Sequence, residues 1–152
     1  MAIDTTIDLL QTLNAGITGV VSAPLLAQYP TVLDTASLPM VIMWPTGGQF
    51  YIKGGGWKVA TRTYALICWV APIAQNDVPS NLAISAPLLQ RFIDAYIDAD
   101  NIQQAIPPTY QVTIRSGQDN QHADDGIRSD LTFGGKPYHG FIIHVHIHEQ
   151  WL

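Results

Sequence analysis

The C-terminal stretch from Tyr138 to Leu152 alternates between two kinds of side chain, and this pattern constrains the fold more than any other part of the chain. One set of positions is apolar, and the positions between them are largely histidine. The two sets are Phe141, Ile143, Val145 and Ile147 on one side, and Ile142, His144, His146, His148 and Gln150 on the other. Because successive side chains of a strand point to opposite faces, we predict a long strand with one apolar face and one histidine face. We expect the other strands to register against it.

The three histidines of this face, His144, His146 and His148, form the only pattern that suggests chemistry. Imidazoles two residues apart on a strand lie about 7 Å apart, within reach of one metal ion. A cupin-type site would add a glutamate, but Glu149 points to the opposite face and no second histidine motif supplies further ligands. A metal shared between subunits at a symmetry axis remains open. The pattern favours a polar face in solvent or at an interface, so we predict no metal and keep the three histidines as the candidate ligands.

Other motifs of catalysis are missing from the sequence. No serine lies in a Gly-x-Ser-x-Gly elbow, and the glycine clusters at 47–48 and 54–56 are not followed by the Lys-Ser/Thr of a phosphate loop. The pair Asp124-Asp125 lacks the spacing of a calcium loop, which favours a solvated acidic loop. Cys68 is the only cysteine, which excludes an intrachain disulfide and a thiolate zinc site. We therefore predict a protein that is not an enzyme and has no cofactor.

The composition bounds the size and the surroundings of the protein. A chain of 152 residues suffices for one domain with a sizeable core, so we predict a single domain over residues 1–152. Charged residues make up 12 %, about half of the usual share, and a surface so poor in charge is more often buried in an assembly. The net charge of -5 argues against a nucleic-acid footprint over the whole surface. No apolar run approaches the roughly 18–20 residues that span a bilayer, so we expect a cytosolic protein without membrane contact.

Two helices and a set of strands are predicted along the chain. Helical spacing of apolar residues predicts one helix within Ile3–Val20 and another over Ser80–Ala99. Pro87 lies inside the second, which requires either a start at Ser85 or a kink. Apolar or alternating runs predict strands at Leu38–Pro45, Trp57–Val70, Tyr110–Arg115 and the C-terminal stretch, with a short further run at Ile127–Phe133. This order predicts an α+β fold, a mainly antiparallel sheet with two main helices packed on one side.

Two segments are predicted to meet other molecules. Glycine clusters surround the run from 49 to 53, which predicts a mobile hairpin at the sheet edge with Phe50, Tyr51 and Trp57 as interface anchors. Residues 116–136 are predicted to form a long polar loop that is mobile in a free subunit and ordered by a neighbour. Its interface candidates are Asp119, Asp124, Asp125, Arg128 and Phe133. Trp44 and Trp69 are instead predicted to lie in the core.

The order of elements and several short motifs resemble the tail terminator, or tail completion, proteins of long-tailed bacteriophages. The matching residues are Leu38-Pro39, the run Ala86-Pro-Leu-Leu89, and the run Phe133-Gly-Gly-Lys-Pro-Tyr-His-Gly-Phe141 that continues to Glu149. The resemblance spans nearly the whole chain, as an architecture carried by short motifs. The histidine face and the hairpin at Gly54–Gly56 lie outside it.

The resemblance implies a function in the virion. Such a subunit forms a homo-hexameric ring that caps the tail tube, stops tube growth and offers a surface to the head–tail connector protein. Its expected partners are further copies of itself, the tail tube protein and the connector, while DNA passes through the lumen without specific binding. The expected location is the neck of the virion, after assembly in the host cytoplasm. Two alternatives stay open, a metal-binding enzyme that uses the histidine face and another component of the neck or tail tube.

Overall fold

The computed structural model describes residues 3–73, 78–98, 110–114 and 125–151, which form one antiparallel sheet and two helices. The helices are α1, Ile3–Ala15, and α2, Val78–Ile97. The strands are β1, Met40–Ile52; β2, Lys58–Pro72; β3, Tyr110–Ile114; β4, Gly126–Phe133; and β5, Lys136–Trp151. The predicted α+β class is confirmed.

The sheet is built around β5, as the alternation of its residues predicted. β2 pairs with one edge of β5, from Lys58 opposite Trp151 to Pro72 opposite Tyr138, and β1 pairs with the far edge of β2. The other edge of β5 is shared by two short strands, because β4 pairs with its first half and β3 with its second half. All of these strand pairings are antiparallel.

Both helices pack on one face of the sheet, which we call the helix face, and this too was predicted. The buried sheet residues on this face include Val41, Met43, Tyr64, Leu66, Cys68, Phe141, Ile143, Val145 and Ile147. α1 covers them with Ile7 and Leu10, and α2 covers them with Leu88, Phe92 and Tyr96. Each large apolar side chain that is fully buried stabilises a fold by about 1.5–3 kcal/mol. This layer is therefore the main source of stability.

The opposite face carries the histidines, and we call it the histidine face. At the end near the start of β5 it is covered by the segment that precedes β1 and by β4. The buried cluster there consists of Met40, Ile42, Trp69, Leu131 and Tyr138, with Tyr29, Leu33, Leu38 and Phe133 packed against it. Toward the other end, the threonines of β2 and the histidines of β5 are only half-buried.

Among the described residues, the outer edge of β1 is protected over its first four residues only. The amide of Val41 donates to the carbonyl of Ser22 at 2.9 Å, and the hydroxyl of Tyr29 donates to the carbonyl of Met43 at 2.7 Å. The side-chain amide of Gln11 donates to the carbonyl of Val41 at 2.9 Å. From Trp44 onward, no strand among the described residues pairs with this edge.

The glycine pair Gly47-Gly48 has another role than predicted. Gly47 and Gly48 do not form a turn, because β1 continues through them with a register shift between Pro45 and Gly47. A Cβ at Gly48 would lie 2.6 Å from the carbonyl oxygen of Thr61, so the close approach of β1 and β2 at this position requires a glycine. The predicted strand end at Pro45 is therefore wrong, and β1 runs on to a turn at Gly54–Gly56.

The second half of the predicted polar loop at 116–136 is not a loop, and the short strand predicted within it at Ile127–Phe133 is confirmed. Residues 126–133 form β4, which turns into β5 at Gly134 and Gly135 with φ values of 58° and 82°. Two successive residues with positive φ suit the tight hairpin turns that match strand twist. The first half of the predicted loop lies outside the described residues. Pro87 lies inside α2, which begins at Val78, so the helix predicted over Ser80–Ala99 is confirmed and the alternative start at Ser85 is wrong.

Candidate functional surfaces

The most exposed apolar surface of the described chain is the hairpin formed by the end of β1 and the start of β2. We call residues 44–58 the hairpin tip. Its exposed apolar side chains, with their exposed fractions, are Trp44 (57 %), Phe50 (65 %), Tyr51 (49 %), Ile52 (71 %) and Trp57 (42 %). Phe50, Tyr51 and Trp57 were predicted as interface anchors, and the fold presents all three to the outside. The prediction that Trp44 lies in the core is wrong, whereas Trp69 is buried as predicted.

The position of the hairpin tip explains its exposure. The two helices and the segment before β1 cover the sheet at Met40–Met43, and every residue of β1 from Trp44 to Ile52 is exposed. In a strand, alternate residues occupy opposite faces, so the tip has apolar groups on both faces of the sheet. Phe50 and Ile52 continue the helix face, while Trp44 and Tyr51 lie on the histidine face. The tip is therefore a two-sided apolar surface beside an open strand edge.

The interface residues predicted in the polar loop fall in different places. Asp119 and Asp124 lie outside the described residues. Arg128 forms a two-point ion pair with Asp130, at 2.8 Å for both hydrogen bonds, and this pair lowers the pKa of Asp130 below its usual value. Phe133 packs edge to face on Trp69 with ring centroids 5.2 Å apart. The ring of Phe133 therefore packs within its own subunit.

The histidine face forms a ladder of side-chain hydrogen bonds between β2 and β5. Nδ1 of His148 lies 3.1 Å from the hydroxyl of Thr61, and Nδ1 of His146 lies 3.1 Å from the hydroxyl of Thr63. Each pair stands directly opposite in the strand register. Cross-strand contacts of this kind contribute a few tenths of a kcal/mol up to about 1 kcal/mol each. The ladder thus has a structural function, and it orients each ring by its Nδ1 atom.

His144 differs from the other two histidines because an aspartate holds it. Oδ1 of Asp125 accepts from Nδ1 of His144 at 2.5 Å, and Oδ2 accepts from the backbone amide of the same residue at 3.1 Å. The side chain of Asp125 is 3 % exposed, so the predicted solvated acidic loop is wrong at this residue. The contact between Asp125 and His144 was not predicted from the sequence. The only signal for it in the sequence is the position of Asp125 next to Gly126, where β4 begins.

The position of Asp125 explains both hydrogen bonds. β3 reaches Val145 of β5, and β4 begins opposite Ile142, so the two strands leave a break in the ladder at His144. A buried amide at such a break needs an acceptor, and a carboxylate placed there supplies one. Because a carboxylate only accepts, His144 carries a proton on Nδ1. The contact closes the break between the two strands.

No catalytic arrangement converges in the described part of the chain. Among the described residues, no group of three or more His, Cys, Asp and Glu side chains is placed to hold one metal ion. The hydroxyl of Ser129 lies 3.0 Å from Nδ1 of His139, but Nε2 of this histidine is buried without a hydrogen-bond partner among those residues. The pair thus lacks the acid that orients the base in a nucleophilic triad.

Neither a protein-family model nor a curated protein matches this sequence. In addition, no described helix combines the length and the apolar content needed to cross a membrane.

Proposed function

We propose that this protein is a tail terminator subunit of a long-tailed bacteriophage. In this proposal the subunits form a ring, with six copies as the expected number, that caps the tail tube and stops its growth. The ring then offers a surface to the head–tail connector protein. The protein works by assembly in the virion neck and has no catalytic reaction or cofactor.

The observation that carries this proposal is the hairpin tip. It exposes five large apolar side chains, three of them aromatic anchors predicted from sequence, beside a strand edge that no described strand pairs with. Water-exposed clusters of this kind are rare on monomers and typical of protein–protein contacts, where tryptophan, tyrosine and phenylalanine are enriched. An open strand edge is also a template for pairing with another chain.

The rest of the molecule supports a protein that works by assembly. The α+β fold, with both helices on one face, agrees with the architecture that the sequence resemblance implies. Only 12 % of the residues are charged, which reduces the cost of burying the surface in contacts. The net charge of -5 suits a channel through which DNA passes without being held.

Electron microscopy of the purified protein, alone and mixed with tail tubes, tests this proposal. We expect closed rings at high protein concentration, or rings at the tube ends, together with a block to further tube polymerisation. Light scattering across a dilution series would give the number of subunits. A protein that stays monomeric at all concentrations and does not bind tube ends would contradict the proposal.

A metal-dependent protein that uses the histidine face is the second candidate. One observation favours it: all three imidazoles are held through Nδ1, as in metal sites where an outer partner orients the ligand. Replacing His144, His146 and His148 together by glutamine separates the two candidates. We expect the variant to assemble like the wild type near neutral pH. A stoichiometric transition metal in the wild type that is lost from the variant would favour the metal-dependent protein instead.

A further inference from the structure

The distribution of charge along the chain divides the molecule into a basic part and an acidic part. No Asp or Glu occurs between Asp34 and Asp77, a stretch that contains the whole hairpin tip. The tip itself carries Lys53 and Lys58, and both are exposed. Arg62, the next cation along β2, is bound by Glu149 and does not add to the charge of the tip. The tip is therefore apolar and positively charged.

A groove of matching character lies on the helix layer. It is formed where the chain leaves α1 and where α2 ends, and it has a volume of about 430 Å³. We call it the helix groove. Its apolar lining includes Leu13, Ile17 and Ala95, and its acidic residues are Asp94 and Asp98. The cation that lines it, Arg91, donates to the carbonyl of Thr18 at 3.1 Å and so helps to fix one wall.

We propose that the hairpin tip of one subunit docks into the helix groove of the next copy of this chain. Phe50 and Ile52 would fill the apolar floor, and the two tip lysines would meet Asp94 and Asp98 at the rim. Complementary apolar and charged surfaces of this kind set both the register and the choice of partner. This inference rests on the proposed function, because it names the two surfaces through which subunits of a ring meet.

A contact between two different surfaces can be repeated from one subunit to the next. The tip and the groove are different surfaces of one subunit, so a contact made once per pair of subunits is head-to-tail, and the bound pair keeps one free tip and one free groove. Repetition of a head-to-tail contact gives a closed ring if the rotation closes and an open filament if it does not.

Disulfide cross-linking between two single-site variants tests the contact directly. Ile52→Cys places a thiol on the hairpin tip, and Thr18→Cys places one on the exposed wall of the helix groove. The native Cys68 should not form cross-links, because burial raises the pKa of its thiol and shields it from reagents. We expect disulfide-linked dimers under mild oxidation when the two variants are mixed, and far fewer when either variant is oxidised alone.

A matched control uses Val32→Cys, a position that is 78 % exposed but lies outside both surfaces. Mixed with Thr18→Cys under the same conditions, it should give at least about tenfold fewer dimers. Equal cross-linking in the two mixtures, or none in the first at concentrations where the wild type assembles, would overturn the docking contact. In both cases rings of the wild type would leave the proposed function standing.

Charge reversal gives an independent measurement that does not depend on thiols. Lys53→Glu combined with Lys58→Glu should weaken self-association roughly tenfold, since two attractive pairs become repulsive. Adding Asp94→Lys and Asp98→Lys to the same chain should restore association, because the pairs are then reversed. Association that is unchanged by the first pair, or not restored by the second, would contradict the contact. Cross-linked chains that form open filaments and never cap tubes would keep the contact but refute the terminator function.

Discussion

Nη1 of Arg62 lies 3.1 Å from Oε2 of Glu149, and this ion pair joins β2 to β5 on the helix face of the sheet. The two side chains are not equally buried: Glu149 is 3 % exposed, whereas Arg62 is 24 % exposed. A carboxylate that is removed from water to this extent depends on its cation, while the guanidinium can still reach solvent. Glu149 therefore depends on the ion pair more than Arg62 does.

The first prediction follows from this asymmetry. Arg62→Ala should lower the free energy of unfolding by about 3 kcal/mol, because it leaves a buried carboxylate without its guanidinium. Glu149→Gln should cost less, since Arg62 can turn toward water. Urea denaturation of both variants measures the difference. Arg128→Ala is the control, as its partner Asp130 is 67 % exposed, and it should leave stability unchanged. Equal losses at Arg62 and Arg128 would refute the assignment.

A second prediction concerns Gly140, in the middle of the sheet. A Cβ at this position would collide with the carbonyl oxygen of Cys68 and the side chain of Leu131. Because a backbone oxygen of a paired strand cannot move aside, Gly140→Ala should destabilise the fold by about 2 kcal/mol. Gly54→Ala is the control, since a Cβ there meets no atom within 4 Å. Thermal unfolding of the two variants should separate them clearly, and a neutral Gly140→Ala would show that β2 and β5 are less tightly registered.

The third prediction concerns stability at alkaline pH. Burial raises the pKa of the Tyr29 hydroxyl to about 12, against the opposing effect of the Met43 amide that donates to it. The folded state thus holds this proton more tightly than the unfolded chain, whose tyrosine has its ordinary pKa near 10. The stability linked to Tyr29 is complete below about pH 10 and is lost as the pH rises toward 12.

Tyr29→Phe provides the measurement for this prediction. At neutral pH the variant should be less stable by about 1 kcal/mol, because the hydrogen bond to the Met43 carbonyl is lost. Between pH 10 and pH 12 the difference from the wild type should narrow, since only the wild type loses stability by ionising this residue. Urea midpoints at several pH values would show the trend. A constant difference across this range would mean that the hydroxyl is not protected in the folded state.

The fourth prediction concerns the closure of the sheet at Asp125. Asp125→Ala removes both hydrogen bonds to His144 and exposes the break between β3 and β4, so we expect a loss of about 2 kcal/mol. Asp125→Asn keeps an acceptor for the backbone amide and should cost less. Hydrogen exchange of the His144 amide reports on the break itself. Unchanged protection of that amide in Asp125→Ala would show that the aspartate has no part in the ladder.

The sequence predicted those parts of the fold whose signal is local. The alternation of β5 correctly predicted its two faces, and helical spacing placed both helices, because burial on one face leaves a period in the sequence. The exposure of Phe50 and Tyr51 also followed from local features, an aromatic run between glycines. The turn predicted at Gly47 was wrong, since the sequence around a glycine in a bulge resembles that around a glycine in a turn until the partner strand is known.

The contacts that could not be predicted depend on which strands become neighbours. Asp125 looked like one acid among several in a polar segment, and its burial follows only from the shared edge of β5. Trp44 has the apolar context of a core residue, yet it lies on the histidine face next to the buried cluster of Met40 and Ile42 and is itself exposed. The helix groove combines residues from two helices that are far apart in the chain. In each case the missing information was tertiary.

The division of one edge of β5 between β3 and β4 has a mechanical consequence. β2 is bonded to β5 along nearly the full length of that strand, so a force that slides the two past each other loads all of their hydrogen bonds together. On the divided edge, β4 can peel away from Phe141 while β3 stays in place opposite Ile147. One edge of β5 is thus bonded to a single strand along its length, and the other edge is bonded to two strands that can separate from it one at a time. We therefore expect a load along β5 to break its short ladder with β4 before its long ladder with β2, so that the hairpin tip stays in register.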